Sequence, residues 1–209
     1  MIMKNVPAYS NKDNKHCLQS CIRSILEYSV SNKKFTKNYI DSKTIFNNGW
    51  SWLPPSIVWL NSLGLKVKLY SIFNYAEFAS KGEEYLLQFK GQVVFSHEKS
   101  NGAYNQINKI RESTKEMISK GYWVNKILED FEIRSFLSKQ NNLALGKTVY
   151  EWLEGKFIIG ASHYVLILES DQNNDWIVHD PGKPLKKYRL VHPKINDQKI
   201  FGDIVLIEK

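Results

Sequence analysis

The sequence predicts an α+β fold, with helices first and an antiparallel sheet after them. Three observations carry that prediction. Early in the chain, apolar residues recur three and four positions apart. Late in the chain, five short apolar stretches have the texture of strands. Between two of these, Ser170 to Asp175 reads Ser-Asp-Gln-Asn-Asn-Asp, a turn sequence that joins its neighbours as a hairpin.

Taken in order, Asn14 to Tyr28 has the pattern of an amphipathic helix. Leu18, Cys21, Ile22, Ile25 and Leu26 share one face, and Asp13 or Asn14 is placed to cap it. Pro54-Pro55 opens a second helix carrying Ile57, Val58, Leu60 and Leu63, and Gly64 ends it. Leu65 to Ser71 alternates and reads as a strand. The stretch from about Tyr75 to Gln140 is more polar. Within it Gln92 to Phe95 reads as a strand, and Ile107, Ile110, Met117 and Ile118 as one helix. Val124, Ile127, Leu128 and Phe131 read as another, and Asp130 caps a short helix holding Ile133, Phe136 and Leu137. Asn142 to Val149, Ser162 to Ser170, Trp176 to Asp180, Tyr188 to His192 and Asp203 to Glu208 are the expected strands.

A chain of 209 residues, 43% hydrophobic and 24% charged, is expected to form one domain over residues 1–209 with its own core. Its longest apolar runs, Ile57 to Leu60 and Val165 to Leu168, are too short to span a bilayer, and Met1-Ile2-Met3-Lys4 does not open a secretion signal. The expectation is a cytoplasmic protein with no membrane partner, signal-independent export aside. The net charge of +8 is spread along the chain, with small clusters at Lys33-Lys34 and Lys183 to Lys187. No nucleic-acid motif accompanies them, so a solvated basic surface is expected before a nucleic-acid face, and an acidic partner is compatible with it.

The two cysteines, Cys17 and Cys21, are one helical turn apart and poorly placed to bridge each other. Cys17 falls in the first turn, where unpaired backbone N–H groups and the helix dipole favour a thiolate; Cys21 lies deeper on the apolar stripe, where a buried, inert thiol is expected. Cys-x3-Cys has no second pair of ligands for a metal, and no cofactor is indicated.

A thiol nucleophile needs an imidazole, and the imidazole needs a group to orient it. His16 adjoins Cys17 but points about 100° away on a helix. His97 follows the expected strand at Gln92 to Phe95, His192 ends another strand, and both read as surface residues. His163 differs. With the hairpin turn centred near Gln172 or Asn173, residue 163 falls opposite 181 or 182, which makes Asp180 a cross-strand or diagonal neighbour. His179 points to the other face. A surface His–Asp contact on a hairpin would have the same spacing.

These residues together resemble the papain-like cysteine peptidase clan, and within it the bacterial peptidases that cut bacteriocin leaders after a double glycine, with their stand-alone relatives. Asn5-Val6-Pro7-Ala8-Tyr9-Ser10-Asn11 resembles the family's Val-Pro-x-Tyr-x-Gln opening. Cys17-Leu18-Gln19-Ser20-Cys21-Ile22 resembles its Cys-Gly-x-x-Cys helix start. Ser162-His163-Tyr164-Val165 and Asp180-Pro181-Gly182 resemble its Gly-His-Tyr-Val and Asp-Pro-Gly, and Ile133 to Leu145 the helix and strand before the His strand. Residues from about 75 to 130 match nothing in the family.

The resemblance implies a papain-like fold, with the nucleophile at a helix N-terminus packed on a C-terminal antiparallel sheet. It also implies a Cys17–His163–Asp180 triad. Asn11 stands where the family has its oxyanion-hole Gln, one methylene shorter, and Leu18 stands where it has Gly. With the chain ending at Lys209, a transporter-linked form of the activity is not expected.

The expected activity is that of a thiol peptidase or isopeptidase acting on a peptide or protein through an acyl-enzyme. An amidase, deamidase or acyltransferase on the same site, or a weakly active or silent papain-like binding module, are the alternatives. Tyr122, Trp123 and the Trp50-Ser51-Trp52 pair are candidates to line a cleft, with core packing as the plain alternative.

Overall fold

Helix α1 (Cys17–Ser29) forms where the apolar spacing places it, and Leu18, Ile22, Ile25 and Leu26 on its inner face are fully buried. Burying a Leu or Ile side chain to this degree contributes about 2 kcal/mol, so this stripe fixes how the helix docks. The helix starts later than expected. Its N-cap is His16, which makes no side-chain capping bond. Asp13 is used one step earlier, where it accepts from the Lys15 N–H at 3.0 Å and pairs with His16 Nδ1 at 2.6 Å. The computed structural model describes residues 4–11, 13, 15–30, 35–47, 49–149, 162–182, 185–195 and 198–209. Asn14, the other expected cap, and Lys33, Lys34 and Lys183 of the basic clusters lie outside them.

A short helix, α2 (Lys37–Lys43), follows. Thr36 caps it, and Ile40 is its one buried residue, too little apolar signal to read in advance. Helix α3 (Leu53–Ser62) opens on Pro54 and Pro55, and Gly64 behind it takes φ +89°, a left-handed conformation natural to glycine. Strand β1 (Lys66–Ser71) alternates exposed and buried.

The central region departs from expectation twice. Residues 92–95 are not a strand; they belong to α5 (Glu83–Ser100), which follows α4 (Tyr75–Lys81) and is kinked at Gly91. After the kink Phe95 and Glu98 are buried three residues apart while Val93 is 73% exposed, a helical rather than a strand period. Helix α6 (Ile107–Ser119) is as expected. Residues 124–131 are not one helix. Trp123–Asn125 forms β2, which adds to the edge of β1 in parallel through Leu69↔Trp123. Ile127 and Phe131 are 40% and 70% exposed, so no apolar stripe existed to hold a helix there, whereas the edge of β1 offered backbone partners. Helix α7 (Asp130–Leu137) is capped by Glu129 in a capping box with Glu132, one residue before Asp130.

Strands β3 (Leu143–Val149), β4 (Ser162–Ser170), β5 (Trp176–Asp180), β6 (Lys186–Val191) and β9 (Asp203–Glu208) match the expected stretches within two residues at each end. A small pair, β7 (Lys194–Ile195) and β8 (Gln198–Lys199), stands apart. The main sheet has seven strands in the order β2-β1-β9-β3-β4-β5-β6. It is mostly antiparallel rather than wholly so, because β2 joins in parallel, and β1 reaches it from the helical half. Helices α1 and α3 cover one face over Leu69, Leu145, Leu166 and Val205. On the other face α7 covers Val165, Ile167, Trp176 and Val178. Consecutive residues of β4 thus serve different cores. Among the described residues no helix is long and apolar enough to cross a membrane.

The N-terminal segment is pinned by a buried lysine. Lys4 Nζ donates to the carbonyls of Leu137, Asn142 and Leu168 at 2.7, 2.7 and 2.9 Å. Burial lowers its pKa to about 8, against the pull of Glu169. Lys4→Met would strand three carbonyls inside the protein. It is expected to lower unfolding free energy by about 1–3 kcal/mol in urea titrations, and an unchanged midpoint would show that the segment is not held this way.

Candidate active site

Cys17 is the first residue of α1 and is partly exposed. A helix start leaves backbone N–H groups without intrahelical partners and carries the positive end of the dipole, so an anion is favoured there. Cys21, one turn on, is buried with Sγ 3.5 Å from the Tyr164 carbonyl, and burial raises its pKa well above the ordinary thiol value. The helix therefore presents one thiol and packs the other.

Asn11 reaches the same place from the N-terminal segment. It is buried, its N–H donates to the Pro181 carbonyl at 2.6 Å, and its Oδ1 accepts from the His16 N–H at 2.7 Å. With Oδ1 committed, the amide Nδ2 is the side chain's remaining hydrogen-bonding group.

His163 is the second residue of β4, opposite Thr148 of β3. Strands β4 and β5 pair through Leu166↔His179, and continuing that register sets Asp180 opposite Val165, diagonal to His163. His163 Nε2 donates to Asp180 Oδ1 at 2.7 Å, and the imidazole is also hydrogen-bonded to the Cys17 side chain. Since Asp180 occupies Nε2, Nδ1 is the ring nitrogen left for the thiol. Both members of the His163–Asp180 pair are almost fully buried, so this is not a surface contact on a hairpin.

Asp180 itself is completely buried, and it accepts three bonds. Besides His163, Oδ1 accepts from the Gly182 N–H at 2.9 Å, and Oδ2 accepts from Arg189 Nη1 at 2.6 Å. Burial alone would raise its carboxyl pKa. The hydrogen bond and charge of His163, with the Gly182 N–H and Arg189, overcome that and hold it well below the usual carboxylate range. A Cβ on Gly182 would come within 3.0 Å of Asp180 Oδ1, so the glycine lets the backbone close onto the carboxylate. Burial also works against a charged His163, but the hydrogen bonds to Asp180 and Cys17 and their charges prevail and raise its pKa to about 9.

The remaining histidines are elsewhere. His16 stacks on Phe46 with ring centroids 3.9 Å apart and pairs with Asp13. His97 lies on α5 rather than after a strand, and it is exposed, as is His192. His179 is buried beside Tyr188, with its pKa lowered to about 4 by burial first and by Lys187 second. Of the aromatic candidates, Trp52 stacks on Phe78 at 5.2 Å, Trp123 meets Tyr75 edge-on at 5.8 Å, and Trp50 and Tyr122 pack against the same core. They act as packing. An open cleft of about 380 Å³ instead runs beside the first turns of α1, lined mainly by polar residues including Tyr9, Asp13, His16, Ser20, Arg23 and Lys37. Among the described residues no cluster of His, Cys, Asp or Glu is built to hold a metal ion.

Arg189 was not anticipated, because it sits in a strand with Lys186 and Lys187 and reads as one more surface cation. The signal was available by the counting that found Asp180. Strand β6 pairs through Val178↔Arg189, which makes Arg189 a neighbour of Asp180 across the next pair of strands.

Compared with known proteins, the chain matches no family model and no curated protein sequence.

The raised His163 pKa is also a statement about stability. Its folded value lies above the ordinary 6.5, so the stabilisation is complete below about pH 6.5 and is lost as pH rises through about 9. In urea titrations the stability advantage of the native protein over His163→Gln is expected to shrink across that window. A difference that stays constant from pH 6 to pH 9.5 would contradict the assignment.

Proposed function

We propose that this protein is a papain-like cysteine hydrolase, related to the stand-alone relatives of the double-glycine peptidases, with Cys17 as nucleophile, His163 as acid–base and Asp180 as the residue that orients His163. The observation that carries the reading is the position of one buried imidazole. It is bonded on one side to a thiol at a helix N-terminus and on the other to a buried carboxylate. That order of groups suits acyl transfer.

In this mechanism the Cys17 sulfur attacks the carbonyl carbon of a peptide or isopeptide bond, and the C=O electron pair moves onto oxygen. The Cys17 backbone N–H and Asn11 Nδ2 donate to that oxyanion. His163, holding the proton taken from the thiol, passes it to the leaving amine as the C–N bond breaks and a thioester forms. Water then gives His163 a proton and attacks the thioester, the acid departs, and Cys17 is regenerated. Asp180 keeps His163 in the tautomer and orientation both steps need. The cleft beside α1 is roomy enough for a peptide segment of the substrate.

The anchoring of Asn11 favours an active enzyme over a silent binding module. Its backbone N–H is tied to the Pro181 carbonyl and its Oδ1 to the His16 N–H, which leaves Nδ2 as the group free to serve as a donor. The test is covalent labelling by a peptidyl thiol-directed inactivator, read by mass spectrometry at neutral pH. Cys17 is expected to be labelled and Cys21 not, with His163→Ala reducing the rate about a hundredfold or more. If Cys17 reacts no faster than a free thiol and His163→Ala changes nothing, the enzyme reading is wrong. With p-nitrophenyl acetate as a generic acyl donor, Asn11→Ala is expected to slow acylation about a hundredfold, while Asn11→Gln keeps most of it.

A further inference from the structure

The charges at the site form a line that does not end at Asp180. Behind the carboxylate, Arg189 Nη1 lies 2.6 Å from Oδ2, while His163 Nε2 lies 2.7 Å from Oδ1. One fully buried carboxylate is thus shared between two cations, one on β4 and one on β6. The guanidinium side chain is itself mostly buried, so solvent screens little of its charge.

We propose that Arg189 is a positioning residue of the Cys17 site: by holding the far oxygen of Asp180 it fixes the carboxylate's aim and limits how strongly Asp180 pulls on His163. The proposal rests on the triad reading above. Two physical arguments support it. First, two oxygens held by donors on opposite sides fix the carboxylate plane. The Gly182 N–H secures only Oδ1, so without Arg189 the group could turn about that bond. Second, the imidazolium sees Arg189 as a nearby like charge. With Cys17 as thiolate the line alternates minus, plus, minus, plus and closes at zero. Without Arg189 it would carry a net negative charge, His163 would hold its proton more tightly, and it would be a poorer acid toward a leaving amine. Arg189 thus tempers the pull of the carboxylate while keeping it aligned.

Among the described residues, the charged and titratable groups that the proposal sets around His163 are Cys17 on α1, Asp180 on β5 and Arg189 on β6. All three enter the test, which does not depend on turnover. In a Cys17→Ala background, the His163 ring is titrated by NMR with Arg189 native, Arg189→Gln or Arg189→Lys. Gln can still donate to Oδ2 but has no charge, so His163 is expected to bind its proton about tenfold more tightly. Lys restores the charge and is expected to return the titration close to that of native Arg189. A titration unchanged or lowered in Arg189→Gln overturns the proposal. If Arg189→Gln does not fold, the comparison passes to Asp180→Asn, alone and with Arg189→Gln, where the neutral amide removes the buried charge. Asp180→Asn alone is expected to loosen the His163 proton, and adding Arg189→Gln to tighten it again by removing the like charge; a double variant that titrates no higher than Asp180→Asn alone overturns the proposal as well. Because these readouts come from a protein without Cys17, failure of the hydrolase reading would appear only in the labelling experiment and would leave the Arg189 result interpretable.

Discussion

The buried carboxylate of Asp180 is the interaction on which the rest of the site depends. An ionised carboxylate removed from water costs several kcal/mol unless its oxygens are satisfied. Here the ring N–H of His163, the backbone N–H of Gly182 and the guanidinium of Arg189 satisfy both oxygens. To bring those three donors together, β4, β5 and β6 must hold their register, the loop after Asp180 must turn tightly at Gly182, and β6 must return alongside β5. The same loop reaches further. The Pro181 carbonyl accepts from the Asn11 N–H, so the residue that would stabilise an oxyanion is tied to the loop that fixes the base.

The helical half and the sheet meet where this arrangement needs them to. Cys21 touches the carbonyl of Tyr164, the residue after His163, one turn from where Cys17 meets the imidazole. Cys21 therefore docks the helix on β4, while the buried Leu18 and Ile22 hold α1 in place. The two thiols, alike in sequence, divide into one that stands partly exposed at the helix start and one that packs.

How much of this could be read in advance depended on how local each signal was. The strands around the site were legible because apolar residues bounded by turn residues define them. Asp180 could be paired with His163 by counting back from the turn at Ser170 to Asp175. What failed was decided at a distance. Residues 92–95 looked like a strand because three apolar side chains are adjacent there, and only the kink at Gly91 shows why Phe95 is buried and Val93 is not. Residues 123–125 became a strand because β1 had an edge to fill, which no local pattern records. Arg189 was hidden among lysines, since its partner lies on the preceding strand and its burial follows from the sheet. The cap of α1 shifted to His16 because Asp13 was engaged by the Lys15 N–H and by His16 itself.

The central claim is that Cys17, His163, Asp180 and Asn11 act together on an acyl group. It is tested most directly by a crystal structure of the protein with a peptide aldehyde, which forms a reversible thiohemiacetal with a working thiol nucleophile. The account predicts a covalent bond from Cys17 Sγ to the aldehyde carbon, with the new oxygen within hydrogen-bond distance of Asn11 Nδ2 and the Cys17 N–H, and His163 still bonded to Asp180. No adduct at saturating aldehyde, or an adduct whose oxygen points away from Asn11 and the helix N-terminus, would contradict it.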